Sequence, residues 1–379
     1  MGDATLVRLS RDILALRSMA QSVVAPLRLR VESAPVLQAV NLIAAALGVR
    51  PFEAFMGDRP LNAFERVAES RLALDEDRCS ALGAWTSAPG AMDALAREAR
   101  SGMIEDAFER SEIPTGDGCA LHAYVGGNTA GATVVIVAAC GMPIALSEKW
   151  IRALAEHYRV VTWETRGLFG ETLDFDAARH DVGAQAGDLS TVMDYFGVER
   201  AHLMGLCGGA VVAISAAAER PDRFPSLSLW YGDYHLGEGT PKTKHQRDLV
   251  QLMAMARGSR KQAASLQKLF ADPAMLANVR NDVAHLVLYP YLNGELLYRY
   301  SRLNGAIMET DIQPLLERVT APTLVVTSED DSTAHPEGSR RVAAGLRAAR
   351  LHVDAHGDHL SLFDAGPERT VLAQTFIDA

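Results

Sequence analysis

The five residues Gly205-Leu206-Cys207-Gly208-Gly209 set a cysteine among glycines, after a short apolar run and before a helix rich in small side chains. Glycines on both sides permit a sharp turn that ordinary side chains would block. A cysteine at the opening of a helix lies where unpaired N–H groups and the macrodipole favour negative charge, and the thiolate is the reactive form of this side chain. The pattern points to nucleophilic attack by the Cys207 sulfur. The plain alternative is a buried structural cysteine. A thiol used as a nucleophile needs a base within hydrogen-bond reach. Two histidines, His356 and His359, follow the last strand-like run and are candidates. The other histidines, His202 included, read as solvated or core residues.

Composition narrows the field. The chain has 379 residues, enough for one large α/β domain with an accessory segment or for two modest domains. Its formal net charge of −10 argues against a nucleic-acid partner or an anionic membrane surface. Cys79, Cys119, Cys140 and Cys207 are widely spaced and form no CxxC pair, so neither a disulfide framework nor a metal site is expected. The start of the chain, MGDATLVRLSRDILALRS, alternates charged and apolar residues and has no signal-peptide core. The longest apolar run, Thr133 to Leu146, is broken by Gly141 and Pro143 and is too short to span a bilayer. A cytoplasmic protein without a membrane partner is the expectation.

The elements that must hold Cys207 follow from periodicity. Residues 1–112 carry apolar side chains at helical spacing and read as a helical N-terminal extension. From CALHAYVGG onward, short β-branched runs alternate with amphipathic helices: TVVIVAACG, RVVTWET, RAHLMG, LSLWYG, PTLVVTS and LHVDAHG. Such alternation implies an α/β fold, a mostly parallel sheet covered by helices on both faces. The alternation stops between about 233 and 310, a helix-like stretch with the aromatic cluster YPYLNGELLYRYSRL. It is expected to be a helical cap above the carboxyl ends of the strands. The sheet domain is then made of residues 113–232 and 311–379.

From about residue 113 to its end, the chain resembles the α/β-hydrolase superfamily. The resemblance rests on order: a G-x-nucleophile-x-G turn between strand and helix, an acid after PTLVVTS, and a histidine after the final strand. It implies an α/β-hydrolase fold with Cys207 in the nucleophile elbow and Gly205 and Gly209 at its tight approaches. Gly357-Asp358-His359 matches the Gly-x-His loop and makes His359 the base. Counting the Gly-x-x-Asp pattern onto Ser328-Glu329-Asp330-Asp331 selects Asp331 as the acid, with Asp330 the alternative because Ser328 replaces the glycine. The N–H of Gly208 is the expected first oxyanion donor. Where relatives carry His-Gly-x, this chain has Cys140-Gly141-Met142, which makes the Met142 N–H the second. The Arg166-Gly167 pair matches a loop that is mostly structural in the family.

Sulfur in place of oxygen gives an activated acyl-thioester, from which an acyl group can pass to another thiol at little cost. More narrowly, the layout is similar to the cysteine-nucleophile aminoacyltransferases of nonribosomal peptide pathways that serve syringomycin and coronamic acid assembly. That resemblance implies an acyl or aminoacyl transferase, acyl or peptidyl carrier proteins as partners, and their phosphopantetheine arms as substrate carriers for a small acyl thioester. No bound cofactor is expected. The alternative is a cysteine-nucleophile hydrolase, either a thioesterase or a lactone and ester hydrolase resembling the dienelactone enzymes. A non-catalytic binding protein on the same scaffold is the third reading. The N-terminal helices could serve packing, carrier docking or dimer contact.

Overall fold

The β-branched runs form strands, and their order along the sheet decides which loops meet. In the computed structural model, which describes residues 2–85, 90–277 and 279–379, two short strands come first, β1 (Arg28–Leu29) and β2 (Glu53–Ala54), paired in parallel. Eight further strands follow: β3 (Glu109–Pro114), β4 (Ala120–Gly127), β5 (Thr133–Val137), β6 (Arg159–Trp163), β7 (His202–Leu206), β8 (Leu227–Trp230), β9 (Thr323–Ser328) and β10 (Ala349–Asp354). They lie in the order β10-β9-β8-β7-β5-β6-β4-β3. Pairings from β10 through to β6 are parallel, while β4 runs antiparallel to both β6 and β3. The expected α/β class with a mostly parallel sheet is the observed one.

Strands in the middle of such a sheet are covered on both faces and so carry continuous apolar runs. Val134, Val135, Ile136, Leu203, Met204, Leu227, Leu229, Leu324, Val325 and Val326 are all fully buried. The helix Glu148–Ala155 packs on β6, Gly209–Glu219 on β7 and Pro336–Gly345 on β9. His202, inside β7, has a serine hydroxyl at 2.8 Å from each ring nitrogen, Ser226 on one side and Ser228 on the other. Burial lowers its pKa to about 3, so it is a neutral core residue.

Strand β3 begins at Glu109, inside the stretch expected to be helical up to residue 112. Only Ile113 of its six residues is buried, so an edge strand of this kind shows no apolar alternation.

Contacts group the chain into two units, residues 1–107 with 260–297, and residues 108–259 with 298–379. The segment expected as one helical cap, 233–310, is therefore divided. Its middle part belongs with the N-terminal helices, and hydrogen bonds tie it there. The Ala63 N–H donates to the Ala271 carbonyl (2.8 Å), and the Asn293 amide donates to the Ser22 carbonyl (2.8 Å). Within that first unit the Ala63–Leu72 helix carries a full capping box, Asn62 with Glu65, and the Glu65 carboxylate also holds Arg28 (2.6 Å). Among the described residues no helix is long and apolar enough to cross a membrane.

Candidate active site

Strand β7 ends at Leu206 and the helix Gly209–Glu219 starts three residues later, so Cys207 takes up the reversal. Its φ is +53°, a left-handed conformation that persists in a non-glycine residue only where the surroundings enforce it. The Cys207 N–H donates to the Trp230 carbonyl at the end of β8 (2.9 Å), and its own carbonyl accepts from the Ala210 N–H (3.0 Å). A Cβ on Gly205 would stand 2.6 Å from Ala210 Cα, and one on Gly209 would stand 2.3 Å from the Val137 carbonyl oxygen. Both clashes are with backbone, which cannot swing aside. Gly209→Ala should lower stability by about 2–4 kcal/mol, read as a fall in Tm by thermal unfolding.

The neighbouring strands deliver the partners. Strand β10 leads to Gly357, whose φ of +135° suits only glycine, and on to a 3₁₀ turn that starts at His359 and is capped by Asp358. His359 Nε2 lies 3.2 Å from Cys207 Sγ, and its Nδ1 lies 2.8 Å from Asp331 Oδ2. Asp331 follows β9, and its other oxygen accepts from the Thr333 and Ala334 N–H groups (2.8 and 2.9 Å). Both partners are buried, His359 at 6% and Asp331 at 3% exposure. Asp330 instead faces His356 (2.9 Å), and both of those side chains lie in solvent. The structure thus joins Cys207, His359 and Asp331 in one chain of contacts and leaves Asp330 and His356 outside it.

Burial alone would lower the His359 pKa. The charges of Cys207 and Asp331 and the hydrogen bonds to them outweigh it and hold the ring well above 6.5. A thiol touching an imidazole that is backed by a buried carboxylate can act as a nucleophile, with the ring as proton carrier. A second clamp, which the sequence did not point to, holds the histidine loop. The Tyr231 hydroxyl donates to Asp354 (2.7 Å), and Arg369 donates both to that carboxylate (2.9 Å) and to the Tyr231 oxygen (2.6 Å).

The two expected oxyanion donors differ. Gly208 opens the helix, where the first N–H groups have no acceptor inside the helix itself. The Met142 N–H donates to the Ala139 carbonyl (3.2 Å) and closes a turn, so it is not free to face an oxyanion. Sequence counting gives the position of a backbone donor but not the direction of its N–H. Next to it, Cys140 is buried, and burial with the neighbouring Cys207 pushes its thiol up to about 12. Arg166 is buried between Asp188 (2.7 Å) and Asp117 (2.7 Å), in keeping with a structural part. Tyr300, from the aromatic cluster of the expected cap, and Asn304 and Ile307, which no motif announced, lie against Gly141 and Gly208. Among the described residues no cluster of His, Cys, Asp or Glu could hold a metal ion.

An eight-stranded, mostly parallel sheet with this strand–turn–helix at its centre is the α/β-hydrolase fold. The enol-lactonase from Burkholderia xenovorans matches it with a TM-score of 0.56 at 20% identity, over 72% of this chain and 100% of that one. A hydrolase from Pseudomonas aeruginosa matches with a TM-score of 0.57 at 21% identity, over 72% and 99%. In sequence, the chain is 28% identical over 249 residues to the "Putative carbamate hydrolase RutD" of Variovorax paradoxus, 63% of this chain and 89% of that protein. A protein of the same name from a Caulobacter strain is 28% identical over 229 residues, 60% of this chain and 83% of the relative. No family model matches the chain.

These relatives are hydrolases by name, and that overturns the expected acyl or aminoacyl transfer between carrier thiols. The chemical argument for transfer was incomplete. An acyl-thioester is open to attack by any nucleophile that reaches it, and water is one of them. The narrower resemblance to carrier-shuttling aminoacyltransferases finds no support among the relatives.

Proposed function

We propose that this protein is a hydrolase that cleaves an activated carbonyl compound through a covalent adduct on Cys207. The observation that carries the reading is the run of contacts from sulfur to imidazole to buried carboxylate, 3.2 Å and then 2.8 Å. Asp331 can only accept, so it fixes a proton on Nδ1 and turns Nε2 toward the sulfur. The raised pKa of the ring, set by Cys207 and Asp331 against burial, suits it to hold the proton that the leaving group needs.

Sulfur attacks the carbonyl carbon, a C–S bond forms, and the carbonyl electron pair moves onto oxygen. Collapse of that intermediate breaks the bond to the leaving group, which takes the proton from Nε2. Neutral His359 then draws a proton from water as the water oxygen attacks the thioester carbon. The acid departs, and the C–S pair returns to sulfur. Esters and lactones fit this sequence. The name of the relatives adds carbamates, whose carbonyl carries a leaving heteroatom in the same way.

The test uses 4-nitrophenyl acetate with intact-mass analysis and iodoacetamide labelling. An acetyl group should appear on Cys207 and be cleared by water. Iodoacetamide should label Cys207 far faster than Cys140, Cys119 or Cys79, whose thiols are raised by burial. Equal labelling of all four, with no adduct during turnover, would overturn the reading.

A further inference from the structure

Among the described residues the Gly208 N–H has no backbone acceptor and is left for a developing oxyanion, whereas the Met142 N–H is bound to the Ala139 carbonyl. Removing one such donor from an acyl-transfer site typically costs two to three orders of magnitude, roughly. A second donor is therefore worth seeking among the side chains that lie on this spot.

Residues 298–309 of the helix Gly294–Glu309 lie on the two glycine loops of the oxyanion side. A Cβ on Gly141 would stand 2.5 Å from the Tyr300 ring, and one on Gly208 would stand 3.6 Å from Asn304 Oδ1 and 3.6 Å from Ile307 Cγ2. Tyr300, Asn304 and Ile307 are spaced four and three residues apart, which puts them on one helix face. That face is fixed in place: Arg299 donates to the Gly167 carbonyl (2.8 Å), the Gln185 amide to the Leu303 carbonyl (3.3 Å), and the Tyr298 hydroxyl to Asp176 (2.8 Å). Asn304 is 7% exposed. Among the described residues its side chain makes a single hydrogen bond, from Nδ2 to the Met308 sulfur (3.4 Å).

A thioether is a weak acceptor. The amide oxygen is the atom that now faces Gly208. A half-turn about the last torsion would give up the Met308 contact and bring the N–H there instead, to where a tetrahedral intermediate would carry its negative charge. A charge-assisted hydrogen bond is about twice as strong as a neutral one. The exchange favours the intermediate and leaves the resting state unchanged, which is the signature of a catalytic interaction.

We propose that the Asn304 side-chain amide is the second oxyanion donor of this site, supplied by a helix that packs over the elbow rather than by the loop after β5. The inference rests on the reading of Cys207 as nucleophile. Asn304→Leu keeps the branching at Cγ and removes the donor, and Asn304→Asp keeps the shape and replaces the donor with an acceptor. With 4-nitrophenyl acetate, kcat should fall about a hundredfold in each variant while KM changes less than about threefold.

Iodoacetamide separates this role from a structural one. It alkylates sulfur at a saturated carbon and forms no oxyanion, so its rate at Cys207 should stay within about twofold of the parent protein in both variants. Unchanged kcat in both variants overturns the proposal. So does a parallel loss of alkylation and turnover, which would show that Asn304 merely props the elbow. Failure of the underlying reading would look different: alkylation of Cys207 in the parent protein would then leave ester turnover intact.

Discussion

Cys207→Ala should lower kcat for 4-nitrophenyl acetate by about four to six orders of magnitude and leave no covalent adduct by mass. The size follows from the proposed role of the Cys207 sulfur as the atom that bonds to the substrate. What remains is binding and oxyanion stabilisation, which by themselves give roughly three to four orders of magnitude over water in a site of this type. The fold should survive. Alanine occupies the same left-handed backbone conformation as cysteine at φ +53°, and the bonds that hold it there, to Trp230 and Ala210, are made by backbone groups. Near-wild-type Tm with abolished turnover is the expected pair of results. Turnover that persists in the alanine variant would place the chemistry elsewhere.

Asp331→Asn should lower kcat/KM by about four orders of magnitude, while Asp330→Asn should change it by less than about threefold. The two aspartates are adjacent, yet one touches His359 inside the protein and the other touches His356 in solvent. Asparagine at 331 can still accept the Thr333 and Ala334 N–H groups, so the loop keeps its shape. It then presents an NH₂ to the ring, which drives the ring proton to Nε2 and leaves the sulfur without a base. A pH profile adds an independent signature. Burial lowers the His359 pKa, and Cys207 and Asp331 raise it beyond that loss. Removal of the Asp331 charge must lower it. The leaving group needs a protonated ring, so the alkaline limb of kcat/KM should move to lower pH in Asp331→Asn. An unmoved limb would mean that Asp331 does not act on the ring.

Much of this arrangement was legible in the residues, and the reason is periodicity. Buried parallel strands must be continuous apolar runs, so β5 to β9 stood out from their neighbours. The elbow was legible because Gly205 and Gly209 serve backbone approaches of 2.6 and 2.3 Å that no other residue tolerates. Counting selected Asp331, which lies 2.8 Å from the His359 ring, despite Ser328, whose buried hydroxyl accepts from the Asp330 N–H (3.3 Å) where glycine was expected. Other features left no trace. Strand β3 buries one residue of six, and the division of 233–310 between two units depends on distant backbone bonds such as Ala63 to Ala271. The direction of the Met142 N–H and the approach of Asn304 to Gly208 are products of tertiary packing. Neither changes the residue types that a pattern can read. Hydrolysis stood in the sequence only as the alternative to transfer, because cysteine at the elbow suits water as well as a thiol acceptor.

Strand order divides the labour around the sulfur. Asp331 and His359 arrive from the β9 and β10 side of β7, whereas the loop with Cys140 and Gly141 arrives from the β5 side. One half can therefore be rebuilt while the other stands untouched. On the proposed reading, a change at position 140, or an amide supplied by an overlying helix, would alter how a developing charge is received without disturbing the His359–Asp331 contact.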